Sequence, residues 1–540
     1  MSDLTTSEKP LRRNAVILAA GKSNRFAPFT YERPKGMFRV KGEVLIERQI
    51  EQLRAAGIDE IYIVVGYMKE KFFYLERKYG VRLIVNNTFA RKGNLYSLYS
   101  ARHVLANTFV CCADHYFVDN PFVDANADNH SYRLCTRKQG KFREFAVQVS
   151  DAGVITDFQV GGADGWAMVG QAYLNEQFSA VYRRLMEQEI DDFGVAGMFW
   201  EEFYARHRRQ LTLYAREADD RRVWEFETID DLRQFDADFL FNVDSDIITN
   251  ICATLHCHPN DIVDIRVINA GLTNVSFSFY VGDRVYVYRH PGGTAGQLIN
   301  RQAEVYSQLK AREIGIDRSV IHIDESGWKV SFCVQDLVDC DFRRHEWQLQ
   351  AGMDYLRRMH AVRPEADIKV FDNLQEGLRL MRVASTTKGN LMSEFAVEID
   401  KVSRLSRLLK ADAERMGIRL CVCHNDVYEP NFLATADHAL YLIDWEYAGL
   451  NDPANDLACF FSRYDYSEAD IERFLQAYFG RPLTPDEHRH YWAYIPLSAF
   501  YWFCWGLYKG SVGDDDGFFF LPAYRNFNRY IDAALRLFEN

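Results

Sequence analysis

"CVCHNDVYEPNFLATADHALYLIDWEYAG", residues 421–449, decides how the second half of this chain folds. Pro430 forbids an ordinary helix there, because proline lacks a backbone N–H and its ring collides with the preceding turn. What remains is a bent loop between two strands, with Asp426 five residues before Asn431. An aspartate that takes a hydroxyl proton and an amide that ligates Mg²⁺ must face one phosphoryl group, and such a loop can aim both. Thirteen residues after Asn431, apolar Leu442 and Ile443 read as a strand that delivers Asp444 to the mouth of the loop. A second carboxylate there suits a cation that prefers a few hard oxygen ligands. Asp and Asn are also common turn residues, so the spacing alone leaves a plain turn open.

The flanks supply three further expectations. "DIRVINAGLTNVSFSFYVGDRVYVYRHPG" (264–292) alternates apolar and polar residues around Gly282–Asp283, the pattern of antiparallel strands joined by a tight turn. Within it, "NAGLTN" (269–274) follows a strand as a phosphate-covering loop should, with Thr273 and Asn274 at its end. Arg289 can pair with Glu304 of the next helix. From Leu349 onward helical patterns dominate, so a small β-rich lobe precedes a helical one, the outline of a kinase. Tyr491–Tyr508 carries no charge but is aromatic and holds Pro496. That composition predicts a buried helix rather than a membrane span.

The first half reads differently. "AVILAAG" (15–21), "EIYIVVGY" (60–67), "RLIVNN" (82–87) and "TFVCCADHYF" (108–117) are short, β-branched runs of the kind found in buried parallel strands. Leu45, Ile46, Gln49, Ile50 and Leu53 repeat at helical spacing before Gly57, and a second helix ends at Gly80. This alternation predicts a doubly wound α/β sheet whose ligands sit beyond the carboxyl ends of its strands. "LAAGKSNRFAPFTYERPKGM" (18–37) follows the first strand: Gly21 lets backbone N–H groups approach a nucleotide, and Arg25 and Lys35 can neutralise its phosphates. Asp114 closes a strand. In "VWEFETI" (223–229), period-two alternation predicts that Glu225 and Glu227 share one face, either beside Asp114 around Mg²⁺ or on a solvated edge.

A length of 540 residues predicts two domains, and the pattern weakens near 240, so we expect domains at 1–240 and 241–540, the second with lobes near 241–338 and 339–540. Cys252, His256, Cys257 and His258 cluster there without a second pair at finger spacing and read as helix and loop. Net charge −12 argues against nucleic-acid partners. Eleven scattered cysteines lack a disulfide framework and suit a reducing compartment, with the cytoplasm as default. The polar opening "MSDLTTSEKPLRR" predicts no secretory leader.

His424, Asn425, Asp426, Glu429 and Asn431, with Asp444, resemble the choline kinase branch of the aminoglycoside-phosphotransferase-like kinases. That resemblance implies a protein-kinase-like α+β fold, Asp426 as catalytic base, Asn431 and Asp444 as Mg²⁺ ligands, and Arg289 in the place of a phosphate-binding lysine. It further implies a hinge of Gln335, Asp336 and Leu337 beside adenine, and Asp456 as a brace of the loop. "FYWFCWGLY" (500–508) then supplies Trp502, Trp505 and Tyr508 as aromatic faces for a quaternary ammonium. The first half resembles sugar-activating nucleotidyltransferases with a Rossmann-like fold and, more closely through "GNLYSLYSA" (93–101), bacterial CTP:phosphocholine cytidylyltransferases. This implies Gly21, Arg25 and Lys35 at the nucleotide, Asp114, Glu225 and Glu227 on the metal, Asn94 and Ser97 at base or phosphate, and Phe145 and Tyr173 beside a trimethylammonium group. Together the resemblances imply choline, phosphocholine, ATP and CTP as substrates, with Mg²⁺ and no membrane insertion. Ethanolamine or a sugar in place of choline, or one half kept as a binding module, remain alternatives.

Overall fold

The computed structural model describes residues 12–90, 92–123, 130–268, 274–292, 298–364, 367–513 and 520–539. The chain divides into two compact units. One runs to Ala253 and takes in His258–Asn260; the other holds Thr254–Cys257 and continues from Asp261.

In the first unit the strand Asn14–Ala19 lies parallel between Glu60–Val65 and Thr108–Cys112, with Arg82–Val85 beyond. Continuous apolar runs are what strands covered on both faces require. Successive side chains point to opposite faces: Val16 and Leu18 pack with Leu95, Leu98 and Tyr182, and Ala15 and Ile17 with Ile46, Ile50 and Leu75. The helices Leu45–Ala55, Tyr74–Tyr79 and Asn94–Ser100 connect the strands, and Gly80 ends the second at φ 61, a left-handed position that costs glycine little. A long hairpin, Tyr132–Val149 with Ile155–Leu174, extends the sheet antiparallel to Thr108–Cys112, and Tyr214–Glu217 closes its far edge. The sheet is therefore mixed, with a parallel centre.

Two expectations give way here. The strand in "VWEFETI" stops at Glu225, because Thr228 caps the helix Ile229–Phe235: its hydroxyl accepts from Asp231 N, and the Asp231 carboxylate accepts from Thr228 N at 2.7 Å. A reciprocal capping box outcompetes two more strand residues, so Glu225 and Glu227 do not share a strand face. The contact division also falls later than 240. Phe239 packs against Phe29 at 5.4 Å, and Glu32 accepts from Ser245 Oγ and from Ile247 N at 2.5 and 3.0 Å, tying this segment to the first unit.

Gly93 marks a close approach. A Cβ there would run into the carbonyl oxygens of Met198 and Gly197, which are backbone atoms with nowhere to turn. Gly93→Ala is expected to destabilise the first unit by about 3 kcal/mol, at the upper end for a forced overlap. Denaturant unfolding checks this: a midpoint equal to wild type would mean that the backbone yields freely.

The second unit begins with a five-stranded antiparallel sheet, Ile262–Ile268, Asn274–Val281, Arg284–Pro291, Lys329–Phe332 and Val320–Ile323 in spatial order. Val281 pairs with Arg284 across the expected turn, where Gly282 has φ 62. Helices follow, among them Glu346–His360, Asn373–Lys388, Ala396–Met416 and Pro485–Ser511. Tyr491–Tyr508 lies inside the last of these and is almost wholly buried, and among the described residues no helix is long and apolar enough to cross a membrane.

Candidate active sites

In the second unit the quoted stretch folds as expected of a loop between strands. Cys421–Cys423 leads in, Glu429–Asn431 makes one 3-10 turn that admits Pro430, and Phe432–Thr435 leads out to Leu440–Leu442. Asn431 Nδ2 donates to Asp426 O at 2.8 Å and to Asp426 Oδ2 at 3.1 Å, so the two residues meet. His424 orders the turn between them. Its Nδ1 accepts from Asp426 N at 3.2 Å and its Nε2 lies 2.9 Å from Ile443 O, partners that together require the neutral Nε2–H tautomer. Asp456 accepts from His424 N, Asn425 N and His360 Nε2 at 2.9, 2.7 and 3.0 Å. Asp444 holds φ 66, a left-handed conformation uncommon outside glycine, at the end of the returning strand.

The basic side of the site is equally built. Arg289 Nη2 lies 2.5 Å from Glu304 Oε1, and Arg289 Nη1 lies 3.7 Å from Asp444 Oδ1. Glu304 is fully buried, and although burial alone pushes its pKa up, Arg289 and Arg301 hold it below the ordinary range. Asn274 Nδ2 donates to Glu446 at 2.5 Å; burial and the Asp444 charge push the Glu446 carboxyl up to about 8. Burial also raises Asp426, opposed by Arg463. Asp426, Asn431 and Asp444 offer oxygen donors only, the set that suits a hard divalent cation. Thr273 lies outside the described residues. Gln335 and Asp336 line a cleft of about 600 Å³ with Thr435 and Tyr441, whereas Leu337 is half exposed and pairs with Thr435.

The aromatic set departs from an open cage. Trp502, Trp505 and Tyr508 are 2%, 2% and 1% exposed. The Arg463 guanidinium lies 3.9 Å over Trp502, and Lys509 Nζ lies 5.6 Å over Trp505. Trp505 Nε1 donates to Tyr447 OH at 2.8 Å. A second cation roughly 5 Å from a guanidinium is repelled by about 3 kcal/mol at an effective dielectric near 20. Each aromatic face returns only about 0.5–2 kcal/mol.

In the first unit Gly21 follows the central strand, and no atom lies within 4 Å of where its Cβ would stand, leaving the loop open. Lys35 is buried, donates to Phe226 O, and sits 2.8 Å from Asp114 Oδ2 and 4.2 Å over the Phe26 ring. Asp114 is brought to Glu225 through His115, whose Nε2 lies 3.2 Å from Glu225 Oε2. Burial pushes Asp114 up, but Lys35 and His115 outweigh it and hold the carboxyl down at about 2. Glu225 is likewise lowered, against burial, by His115. Two ionised carboxylates linked through one histidine fit a divalent cation. Glu227 is not part of that pair: it turns to Arg25, with which it forms an ion pair.

The other expected residues make contacts within the first unit. Asn94 Oδ1 accepts from Trp200 N at 2.8 Å, and Ser97 Oγ accepts from Asn86 Nδ2 at 3.0 Å. Phe145 packs on Phe158 at 4.6 Å. Tyr173 is fully buried against Phe109, its cross-strand partner. Tyr173 is therefore packed as a core residue. Sequence reasoning missed His115, Glu446 and Arg463. His115 was adjacent to Asp114, and Arg463 interrupts an apolar run, "ACFFSRY" (458–464), where a charge has to find a partner.

Residues 15–172 match the MobA-like NTP transferase domain, and residues 264–492 match the phosphotransferase enzyme family. Two curated relatives align with the first half. The 2-aminoethylphosphonate cytidylyltransferase of Lancefieldella rimae is 31% identical, covering 43% of this chain and 94% of that protein. The choline-phosphate cytidylyltransferase of Streptococcus pneumoniae is also 31% identical, covering 41% and 96%. The crystal structure of choline kinase LicA from Streptococcus pneumoniae, 22% identical with a TM-score of 0.44, aligns over 53% of this chain and 98% of that one. The chain belongs to the cytidylyltransferase family of MobA-like NTP transferases through its first half. Its second half matches the phosphotransferase enzyme family over residues 264–492, and both matched families are families of enzymes.

Proposed function

We propose that this chain catalyses two consecutive reactions: its second half phosphorylates a small alcohol with ATP, and its first half joins the phosphorylated alcohol to CMP from CTP, releasing pyrophosphate. The observation that carries the reading is that each half gathers ionised or ionisable carboxylates beside buried cations at strand ends, Asp114 with Lys35 and Asp444 with Arg289. Phosphoryl and nucleotidyl transfer both need this, because catalysis there is positioning plus neutralisation of spreading negative charge. In the second half Asp426 takes the hydroxyl proton, and Asn431 and Asp444 would hold Mg²⁺. In the first, Arg25 and Lys35 face the triphosphate, and Asp114 and Glu225 would hold Mg²⁺. The metal supplies charge neutralisation at the phosphates. The domains are 1–240 extended to about 253, and the remainder. We place the enzyme in the cytoplasm, where both nucleotides are made.

Choline is the alcohol that the resemblance suggests, giving CDP-choline, and one relative is named for choline phosphate. Arg463 over Trp502 favours a second reading of the alcohol, in which it bears an anion. Incubating the full chain with ATP, CTP, Mg²⁺ and a panel of small alcohols, with products read by mass, tests the reaction pair. The expected result is a phosphorylated alcohol, then its CDP conjugate, with ADP and pyrophosphate released. Absence of either nucleotide product with every alcohol would remove the corresponding half of the proposal.

A further inference from the structure

Arg463 follows the helix Ala454–Ser462 and is buried to 1% exposure. Its guanidinium lies 2.7 Å from Asp426 Oδ1, 3.9 Å over Trp502 and 4.2 Å over Tyr428, so it stands between the acidic loop and the aromatic set. Asp426 Oδ2 meanwhile accepts from Asn431. Oδ1 lies against Arg463 as an ion pair and keeps a lone pair for a hydroxyl, since a carboxylate oxygen accepts more than one hydrogen bond, and the guanidinium, with five donors, can meet a second anion beside it. A planar fork of N–H donors has a natural second partner in a carboxylate, sulfonate or phosphonate. An alcohol bearing such a group can place its anion on the fork and present its hydroxyl to Asp426 Oδ1 in one act. A trimethylammonium group can do neither, since it accepts no hydrogen bond and meets Arg463 and Lys509 where it would need open ring faces.

We infer that Arg463 is a specificity-determining residue of the phosphotransferase half, and that the alcohol phosphorylated there is a small hydroxy acid whose anion sits on that guanidinium beside Asp426. This rests on the reading of the Asp426 loop as the site of phosphoryl transfer, and it replaces choline as the alcohol. The hydroxyl oxygen bonds to the γ-phosphorus of ATP as the bond from that phosphorus to the β,γ-bridging oxygen breaks. ADP leaves with the electron pair, and the hydroxyl proton passes to Asp426 Oδ1. The anion stays on Arg463 throughout.

The test compares kcat/KM of the full-length protein with MgATP for isethionate, glycerate, L-serine, ethanolamine and choline, following ADP release and the mass of the phosphorylated product. Isethionate and choline share a chain length and differ in the sign of the distal charge. At least one anionic alcohol is expected to exceed choline by about 100-fold or more, since a site built around a polar contact rejects a substrate lacking it by about 10,000-fold. In Arg463→Gln the preferred acid is expected to lose about 100-fold relative to choline, with its KM rising. A urea midpoint of the second unit equal to wild type reports that the variant protein is folded there. Choline outrunning every anionic alcohol in the wild type overturns the inference and leaves the kinase reading standing, without recourse to a variant. Preference for an acid that Arg463→Gln does not alter overturns the assignment to Arg463. If no alcohol is phosphorylated while cytidylyl transfer proceeds, the kinase reading itself fails, and this inference with it.

Discussion

Asp426→Asn is expected to reduce ATP-dependent phosphorylation by about 100- to 10,000-fold, the usual contribution of a positioned general base, and to leave CTP-dependent cytidylyl transfer to a supplied phosphorylated alcohol unchanged. Asp114→Asn is expected to do the reverse. The reasoning is local in each case. Asp426 is the carboxylate that Asn431 and Arg463 hold in place on the bent loop, and an amide there keeps the shape but cannot accept the hydroxyl proton. Asp114 is the ionised group between Lys35 and His115, and an amide there both leaves Lys35 uncompensated in a buried position and weakens any divalent cation shared with Glu225. The measurement is paired: ADP release with alcohol and ATP, pyrophosphate release with phosphorylated alcohol and CTP, on the same preparation. Two outcomes count against two separate sites, namely either substitution depressing both reactions, or Asp426→Asn leaving phosphorylation intact.

Much of this arrangement was legible in the chain, because the informative residues are adjacent in sequence. Pro430 between Asp426 and Asn431 rules out a helix locally, so the loop could be read without knowing what packs around it. The parallel centre of the first sheet was legible for a related reason: strands covered on both faces must be apolar at every position, and Ala15–Leu18 and Ile61–Val65 are. What was not legible depended on partners distant in sequence. The alternation at Val223–Ile229 is a real period-two pattern, but a capping box three residues wide overrode it, and turned Glu227 to Arg25 some 200 residues away. Tyr173 looked available as a ring and is instead the cross-strand neighbour of Phe109. The aromatic spacing of Trp502, Trp505 and Tyr508 placed them on a helix, yet spacing cannot say what lies over a ring. Arg463 lies over Trp502 because the helix Ala454–Ser462 delivers it there.

That helix also sets the second large effect. Asp456 sits in its first turn, is wholly buried, and is the acceptor for His424 N, Asn425 N and His360 Nε2. Asn425 holds φ 63 at this point, a left-handed conformation that the neighbouring bonds must maintain. Asp456→Ala therefore strands three buried donors at once. With each lost acceptor costing about 1–3 kcal/mol, and some relaxation, the second unit should lose about 3–5 kcal/mol of unfolding free energy. Asp456→Asn, which keeps one acceptor oxygen, should lose less. The pH dependence carries a sign. Burial pulls His360 down, but Cys421 and Asp456 together raise it above the ordinary histidine value. A raised histidine contributes stability that is fully present below about pH 6.5 and lost as pH rises through the folded value. In wild type the second unit should weaken across that interval, and in Asp456→Ala that part of the decline should be smaller. Urea melts at a series of pH values, followed by tryptophan fluorescence and by loss of kinase activity, measure both. Equal midpoints for Asp456→Ala and wild type would mean that the loop holds its shape without the brace, and the orientation of Asp426 would then have to come from Asn431, His424 and Arg463.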